Sequence, residues 1–316
     1  MNNSRPIVGI GGMAMDVISR CISPIVLRDS NPGVIFSSPG GVTRNVCENL
    51  ARQGSRVCLL SVVGDDPLGR AAVDCSAQAG IDMSHVRVSA NKKTASYLAI
   101  LDNDGDMAVA SSDFSVIDEL TEEVLRENLA LIRSAAAIVT DANLTTEQLS
   151  AILSLAGDIP VFLDPVSEAK AVRAKDLIGS FAMVKPNVME LEALSGVPCR
   201  TDGDIENACS VLLSKGCDTV VVSLGSRGCY YADCEGTRMF RRLSREVDMV
   251  NATGAGDAFL AGYVSGFVKG LSVTERIDRA LAAGAIAVLS ESTINPEMSE
   301  ARIEKMLREE GVVAGH

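Results

Sequence analysis

Apolar positions along the chain follow two rhythms. Short runs in which almost every residue is apolar mark strands buried on both faces. Longer stretches with an apolar residue every third or fourth position mark helices. The run Ile7-Val8-Gly9-Ile10 predicts a first strand over 7–11, and Val34-Ile35-Phe36 a second extended stretch. A helix is predicted over 42–53, ended by Gly54, and Val57-Cys58-Leu59-Leu60 lies in a strand predicted over 56–63. From residue 121 onward the rhythms alternate. Helices are predicted at 121–133, at 145–155 with Thr145 as its cap, from Val188, and at 205–215. Between them fall strands at 136–141, at 161–164 stopped by Pro165, at 183–184 and at 219–223. An extended stretch at 247–250 precedes a helical last third, over 255–268, 274–289 and 299–310.

Alternation of this kind predicts an α/β fold in three layers, a mostly parallel central sheet with helices on both faces. Ligands of such sheets bind beyond the carboxyl ends of the strands. Asp141, Asp164, Lys185 and Ser223 fall at such ends and are candidates by position. Residues 93–112 break the pattern: two strand-like runs, 94–101 and 107–110, flank the turn Asn103-Asp104-Gly105-Asp106. No linker divides the chain, so the expectation is one domain, 1–316, with a small β lid formed by about 14–37 and 93–114.

Composition narrows the chemistry. Of 316 residues, 47% are hydrophobic, enough for a large core, and 22% are charged, the ordinary share for a soluble chain. A net charge of −12 disfavours nucleic acid as a partner, although a nest of backbone amides can still hold a small anion. No apolar run is long enough to span a membrane, and residues 1–6 lead straight into the first strand without a signal-peptide core. Nine cysteines without a CxxC pair fit a reduced, cytoplasmic protein in which they are small buried hydrophobes. Cys229 and Cys234 are expected across a hairpin. With two histidines, His85 and His316, a histidine triad or histidine metal site has little support, and His85 is assigned a structural or surface role. The absence of tryptophan argues against base-stacking platforms.

Five motifs carry chemistry, and each also has an ordinary structural explanation. Gly254-Ala255-Gly256-Asp257 opens a helix after Asn251-Ala252-Thr253. Its amides can stabilise a phosphoryl group in flight, and Asp257 can accept the proton of an attacking hydroxyl. A capped helix start explains it equally well. Gly40-Gly41 lets a ligand approach, with Arg44 and Asn45 as donors and acceptors one turn on; a plain turn and helix start is the alternative. Gly9-Ile10-Gly11-Gly12-Met13-Ala14 matches a dinucleotide fingerprint and raises an NAD-dependent oxidoreductase. No helix start follows it, and the better use of the region is Asp16, whose carboxylate can accept from vicinal hydroxyls. Lys185-Pro186-Asn187 with Glu190 puts an amide and a carboxylate one turn apart, suited either to the waters around Mg²⁺ or to a capping box. Ser223-Leu224-Gly225-Ser226-Arg227-Gly228 can bend around nucleotide phosphates or ribose, or be a simple strand–turn.

In their order and spacing these motifs resemble the ribokinase-like (phosphofructokinase-B type) carbohydrate and nucleoside kinases along nearly the whole chain. Within that family, Asp29-Ser30-Asn31-Pro32-Gly33, Ser96-Tyr97-Leu98, Asp141-Ala142-Asn143 and Asp164-Pro165-Val166-Ser167 with Lys170 are similar to the pseudouridine kinase branch. The resemblance implies transfer of the ATP γ-phosphate to the 5′-hydroxyl of pseudouridine. It implies that Asp16, Gly41 and Asn45 hold the ribose, with Gly40 and Arg44 beside them on the substrate side; a selective site also needs an acceptor for the base, for which Asn31, Ser30 and Ser96 are candidates. Asp141 would lie on the substrate side and Lys170 would reach the phosphates. Lys185, Asn187, Ser223, Gly225 and Gly228 would line the ATP site, and Glu190 would place Mg²⁺ through water. Gly254, Ala255 and Gly256 would form the anion hole beside the base, Asp257. The lid would pair two copies into a homodimer. Many family members have aspartate where this chain has Asn251, and that aspartate helps bind a monovalent cation. Without its charge, K⁺ activation is in question.

Overall fold

Strand β1 (Ile7–Ile10) is buried throughout because alternate side chains enter two different cores. Val8 and Ile10 face one, and Ile7 faces the other. The computed structural model describes residues 5–244, 247–309 and 312–314. The expectations resting on residues 1–4, Glu310 and His316 lie outside the described residues.

The chain continues through β2 (Ala14–Cys21), β3 (Gly33–Gly40), α1 (Val42–Arg52), β4 (Val57–Gly64), α2 (Pro67–Gln78), β5 (Ile81–Asp82) and β6 (Val86–Ser89). Next come β7 (Ala95–Leu101), β8 (Met107–Asp113), α3 (Glu122–Glu127), α4 (Leu129–Ser134), β9 (Ala137–Asp141), α5 (Thr146–Ala156), β10 (Val161–Asp164) and α6 (Glu168–Ala171). Then follow β11 (Met183–Val184), α7 (Val188–Ser195), α8 (Asp202–Ser214), β12 (Thr219–Ser223), β13 (Cys229–Asp233) and β14 (Arg238–Leu243). The last elements are α9 (Ala255–Val268), α10 (Val273–Val288), α11 (Glu300–Glu309) and β15 (Val312–Ala314).

The main sheet runs β15-β14-β13-β12-β11-β10-β9-β1-β4-β5, with β6 also on β4. It is parallel from β12 to β5 and antiparallel from β12 to β15. In β4, Cys58, Leu60 and Val62 join the first core while Val57, Leu59 and Val63 join the second. Leu125, Leu149, Leu191 and Leu212 of the helices α3, α5, α7 and α8 close the first core. Leu50, Leu260 and Ile277 of α1, α9 and α10 close the second. Each strand therefore reads as a continuous apolar run, and the fold is the three-layer α/β expected from the sequence.

A second sheet, β3-β2-β7-β8, stands apart from the first. Asp66 ties it down. Its carboxylate caps α2 at Gly69 N (2.9 Å) and accepts from Thr94 N (2.8 Å), the residue that enters β7.

Several local expectations need correction. The stretch 121–133 is two helices, because Asn128 leaves helical geometry and its Nδ2 donates to Val124 O instead. His85 Nδ1 lies 2.8 Å from Asn128 Oδ1, in keeping with the structural role assigned to it. Helix α2 and strands β5 and β6 went unread, although Asp66-Pro67 is a strong helix start with proline at the first position. The extended stretch expected at 247–250 pairs into neither sheet; Val250 N and Asn251 N donate to Val288 O. Cys229 begins β13 and Cys234 lies just past its end, so they sit at opposite ends of one strand and not across a hairpin. All nine cysteines are free. Among the described residues, no helix is long and apolar enough to cross a membrane.

Candidate active site

The carboxyl ends of neighbouring parallel strands bring three acidic groups together. Asp141 ends β9 and Asp164 ends β10, and the two are register partners. Asp257 enters from the first turn of α9. All three are buried.

Each is satisfied differently. Asp141 accepts from Thr43 N (2.9 Å), Thr43 Oγ1 (2.6 Å) and Asn143 N (2.8 Å). Helix α1 has glycine at its N-cap and no capping side chain, so Asp141 supplies the missing acceptor from another strand. This explains the glycine run after β1: a Cβ on Gly11 would lie 2.3 Å from Thr43 Oγ1. The run leads into β2, a strand, where a dinucleotide fingerprint must open a helix. The NAD reading therefore falls.

Asp164 pairs with Lys185, Nζ to Oδ2 at 3.1 Å, and also accepts from Val166 N at 2.8 Å. Val166 sits at φ 68°, rare for a β-branched residue. Burial acts to lower the Lys185 pKa, but the charges of Asp164, Glu190 and Asp257 outweigh it and leave it raised. The Lys185 ammonium lies against Gly256, where a Cβ would come 3.1 Å from Nζ, so the residue expected on the nucleotide side stands between the acidic centre and the start of α9.

Asp257 accepts from Asn45 Nδ2 at 2.8 Å. Burial, then repulsion from Asp164, pushes its pKa up to about 7 against the opposing effects of Asn45 and Lys185. Asn45 Oδ1 is buried and has no hydrogen-bond partner. Helix α9 begins at Gly254 (φ 83°) with no side-chain cap, so its first-turn amides lack a protein acceptor from a capping side chain. That start lies one side chain away from the open acceptor of Asn45.

Helix α1 carries this centre toward the second sheet. Gly41 has φ 99°, and a Cβ there would lie 2.4 Å from Gly12 O. Gly40 faces Asp16, where a Cβ would lie 2.4 Å from its Oδ2. Burial raises the Asp16 pKa and the charge of Arg44 works against it. Arg44 itself is fully buried and donates to Pro39 O (3.2 Å) and to Glu48. Asp16, Gly40, Gly41, Arg44 and Asn45 therefore come together, with Arg44 engaged by protein groups.

Other expected residues lie elsewhere. Register pairs Asp16 with Ser38 and Tyr97, so Ser96 points from the opposite face of the sheet. Its hydroxyl donates to Thr94 O at 3.0 Å. Tyr97 and Ser38 share the Asp16 face and were missed; strand alternation would have found them once the register was known. Asn31 binds Val26 N, Val26 O and Asp29 O, holding its own loop. Lys170 Nζ donates to Asn143 Oδ1 at 2.5 Å beside the Asp141 segment, and its pKa is lowered by burial and Arg173 against Asp141.

On the other side of Lys185, Asn187 and Glu190 form a capping box on α7. Glu190 N donates to Asn187 Oδ1 (2.9 Å), and both Glu190 oxygens accept from Asn187. Burial raises the Glu190 pKa. Asn187 bridges to Ser223, whose N donates to Pro186 O. The turn that follows needs Gly225 at φ 62°, with open space where its Cβ would be, and Gly228 at φ 86° against Arg241 O. Asn187, Ser223, Gly225 and Gly228 thus gather beyond β11 and β12. Asn251 lies on the far side of the α9 loop, its side chain bonded to Thr253 N and Glu291 O.

The chain belongs to the pfkB family carbohydrate kinases, whose sequence model matches residues 7–301. It is accordingly a phosphotransferase acting on an alcohol group. It is 35% identical to the pseudouridine kinase of Escherichia coli (strain K12) over 303 residues, 96% of each chain. It is also similar to a carbohydrate kinase structure from Agrobacterium tumefaciens, with TM-score 0.86, 28% identity, and 98% of this chain and 100% of that one covered. Arabidopsis thaliana ribokinase complexed with ribose and ATP has the same fold, with TM-score 0.86, 21% identity and 96% and 99% coverage.

Replacing Lys185 tests the charge balance of this centre. Lys185→Met leaves Asp164 buried without its cation and should cost about 3–5 kcal/mol in urea unfolding. Adding Asp164→Asn should recover most of it. Wild-type stability in Lys185→Met would mean the pair does not balance the centre.

Proposed function

We propose that this protein phosphorylates the 5′-hydroxyl of pseudouridine with ATP. The observation that carries the reading is the buried Asp257 carboxylate, raised to about 7, held by Asn45 at the uncapped start of α9. A base with a pKa near the working pH combines adequate basicity with a useful ionised fraction. The relative in Escherichia coli named pseudouridine kinase supports the choice of acceptor.

In this mechanism Asp16 accepts from the ribose hydroxyls and Asn45 Oδ1, without a protein partner, accepts from the sugar as well. Asp257 takes the proton of the 5′-hydroxyl. The O5′–Pγ bond forms, the bond from Pγ to the β–γ bridging oxygen breaks, and ADP leaves. The amides of Gly254, Ala255 and Gly256 stabilise the charge on the equatorial oxygens. Lys185 limits repulsion between Asp257 and Asp164.

Asn187, Ser223, Gly225 and Gly228 line the ATP side, and the open space over Gly225 leaves room for a ligand. Each Glu190 oxygen has one protein donor from Asn187 and retains lone-pair capacity, so the residue fits Mg²⁺ bound through water. Such an ion supplies neutralising charge on the phosphates.

The second sheet acts as the lid, and its outer face fits a second copy of this chain. The register rows Ile35–Ser19–Ile100–Val109 and Ser37–Val17–Leu98–Ser111 lie on the face away from Asp16. They carry no charge, and Ile35 (71% exposed), Leu98 and Val109 are open to solvent. The exposed apolar side chains of these two rows, with Asp113 at one edge of the face, suit a two-fold dimer.

The substrate assignment is tested with coupled ADP assays on pseudouridine, uridine, adenosine and ribose. Pseudouridine should give the highest kcat/KM. Rapid turnover of ribose with none of pseudouridine would move the assignment to another sugar or nucleoside. For the base, ionisation is required, so log kcat/KM should fall with decreasing pH through about 7. Asp257→Asn should lose about a hundredfold or more in rate, about 2.7 kcal/mol. A flat profile with near-normal activity in that variant would remove Asp257 from the role. Ile35→Asp with Leu98→Asp should convert a dimer to a monomer in sedimentation equilibrium. Wild-type protein that is already monomeric at high concentration would exclude the lid interface.

A further inference from the structure

The loop leading into α9 is held by a side chain where a charged ligand would be expected. Asn251 Nδ2 donates to Glu291 O at 2.9 Å, and its Oδ1 accepts from Thr253 N at 2.9 Å. These partners fix the amide orientation, since the flipped form would set oxygen against carbonyl and N–H against N–H. The neighbouring carbonyl of Val288 is also in use, accepting from Val250 N (2.8 Å) and Asn251 N (3.2 Å).

The fit between this loop and the turn after α10 is close. Gly254 stands at φ 83°, and a Cβ there would lie 2.0 Å from Thr293 O. The glycine that opens the anion hole is therefore set by how closely the loop lies against residues 290–293. Asn251 makes a side-chain bond across that boundary.

A monovalent cation at this place needs several oxygens free to turn toward it, preferably with one negative charge among them. The donor set is unsuited to that. The side chain is neutral, it presents N–H to the Glu291 carbonyl, and its one oxygen is engaged by Thr253.

We propose that Asn251 is a positioning residue that clips the anion-hole loop to the turn after α10, and that the enzyme therefore works without a monovalent cation. The amide N–H meets the Glu291 carbonyl as a cation otherwise would. The activity arm of the test rests on the kinase reading above.

The test compares wild-type, Asn251→Ala and Asn251→Asp proteins in KCl, NaCl and choline chloride at equal ionic strength, with potassium-free nucleotide. Wild-type kcat should agree among the salts within about twofold, and its melting temperature should not rise with K⁺. Asn251→Ala should lower kcat by about fivefold or more, the range spanned by one hydrogen bond, with nucleoside KM little changed and no rescue by K⁺. Asn251→Asp sets a carboxylate against the Glu291 carbonyl, so it should be slow in choline and accelerated by K⁺. Wild-type activity or melting temperature that climbs with K⁺ would overturn the proposal, as would an unchanged kcat in Asn251→Ala. The melting measurement needs no turnover. Absence of phosphoryl transfer in every salt would count against the kinase assignment, while the melting data would still decide on the cation.

Discussion

Three carboxylates share a space from which water is largely excluded, and the arrangement around them follows from keeping them there. Asp141 has three protein donors, and Asp164 has Lys185 and the Val166 amide. Asp257 has Asn45 as its hydrogen-bond donor, with Lys185 acting on it only as a nearby charge. Desolvation favours the neutral acid wherever donors are few. Burial raises the Asp141 pKa as well, against the pull of its donors, while that of Asp257, with one donor and the Asp164 charge beside it, is pushed up to about 7 at the mouth of the helix. Lys185 pairs with Asp164 and its charge also opposes the rise of the Asp257 pKa, so one cation acts on two of the three carboxylates.

Helix α1 transmits this order to the substrate side. Its start is fixed by Asp141 through Thr43, two residues on Asn45 holds Asp257, and Arg44 between them donates to the Pro39 carbonyl before the Gly40-Gly41 turn. Further along, Glu48 joins Arg44 to Arg52, which donates to Pro296 O in the segment after α10. Arg44, expected to touch substrate, is a strut within this ladder. A buried guanidinium with polar partners along one helical face resists rotation of the helix. The relative position of Asp16 and Asp257 is thus held by one rigid element.

Much of this was legible in the sequence because it depends on period and on chain order. Val57 to Leu60 had to be a strand buried on both faces, and Gly254-Ala255-Gly256-Asp257 had to open a helix. Properties that depend on phase were not legible. Whether Ser96 or Tyr97 faces Asp16 turns on register with β2, and a single step moves every side chain to the other face. The break at Asn128 turned on its side chain outbidding the backbone, a contest set partly by His85 forty-three residues away. Asp141 looked like a ligand residue because it ends a strand. Its actual partner, Thr43, is ninety-eight residues distant. Chain order predicted the neighbourhood of the site; long-range partners decided which members of it were already occupied.

The two sides of the centre differ in how firmly they are built. Around Lys185 the packing is dense: Lys185 and Glu190 are each 4% exposed, Asn187 caps its own helix, and Asn251 ties the loop before α9 to Glu291. The side chains there are ordered by folding itself, through partners inside the protein. Asp16 rests on a separate sheet whose Val34 and Phe36 remain open to solvent at 62% and 49%. Few buried contacts make such a sheet the part most easily displaced. A common phosphoryl donor needs the same fixed geometry in every turnover, whereas an acceptor must enter and leave. The fold concentrates burial around the strand-end carboxylates and leaves exposure on the second sheet.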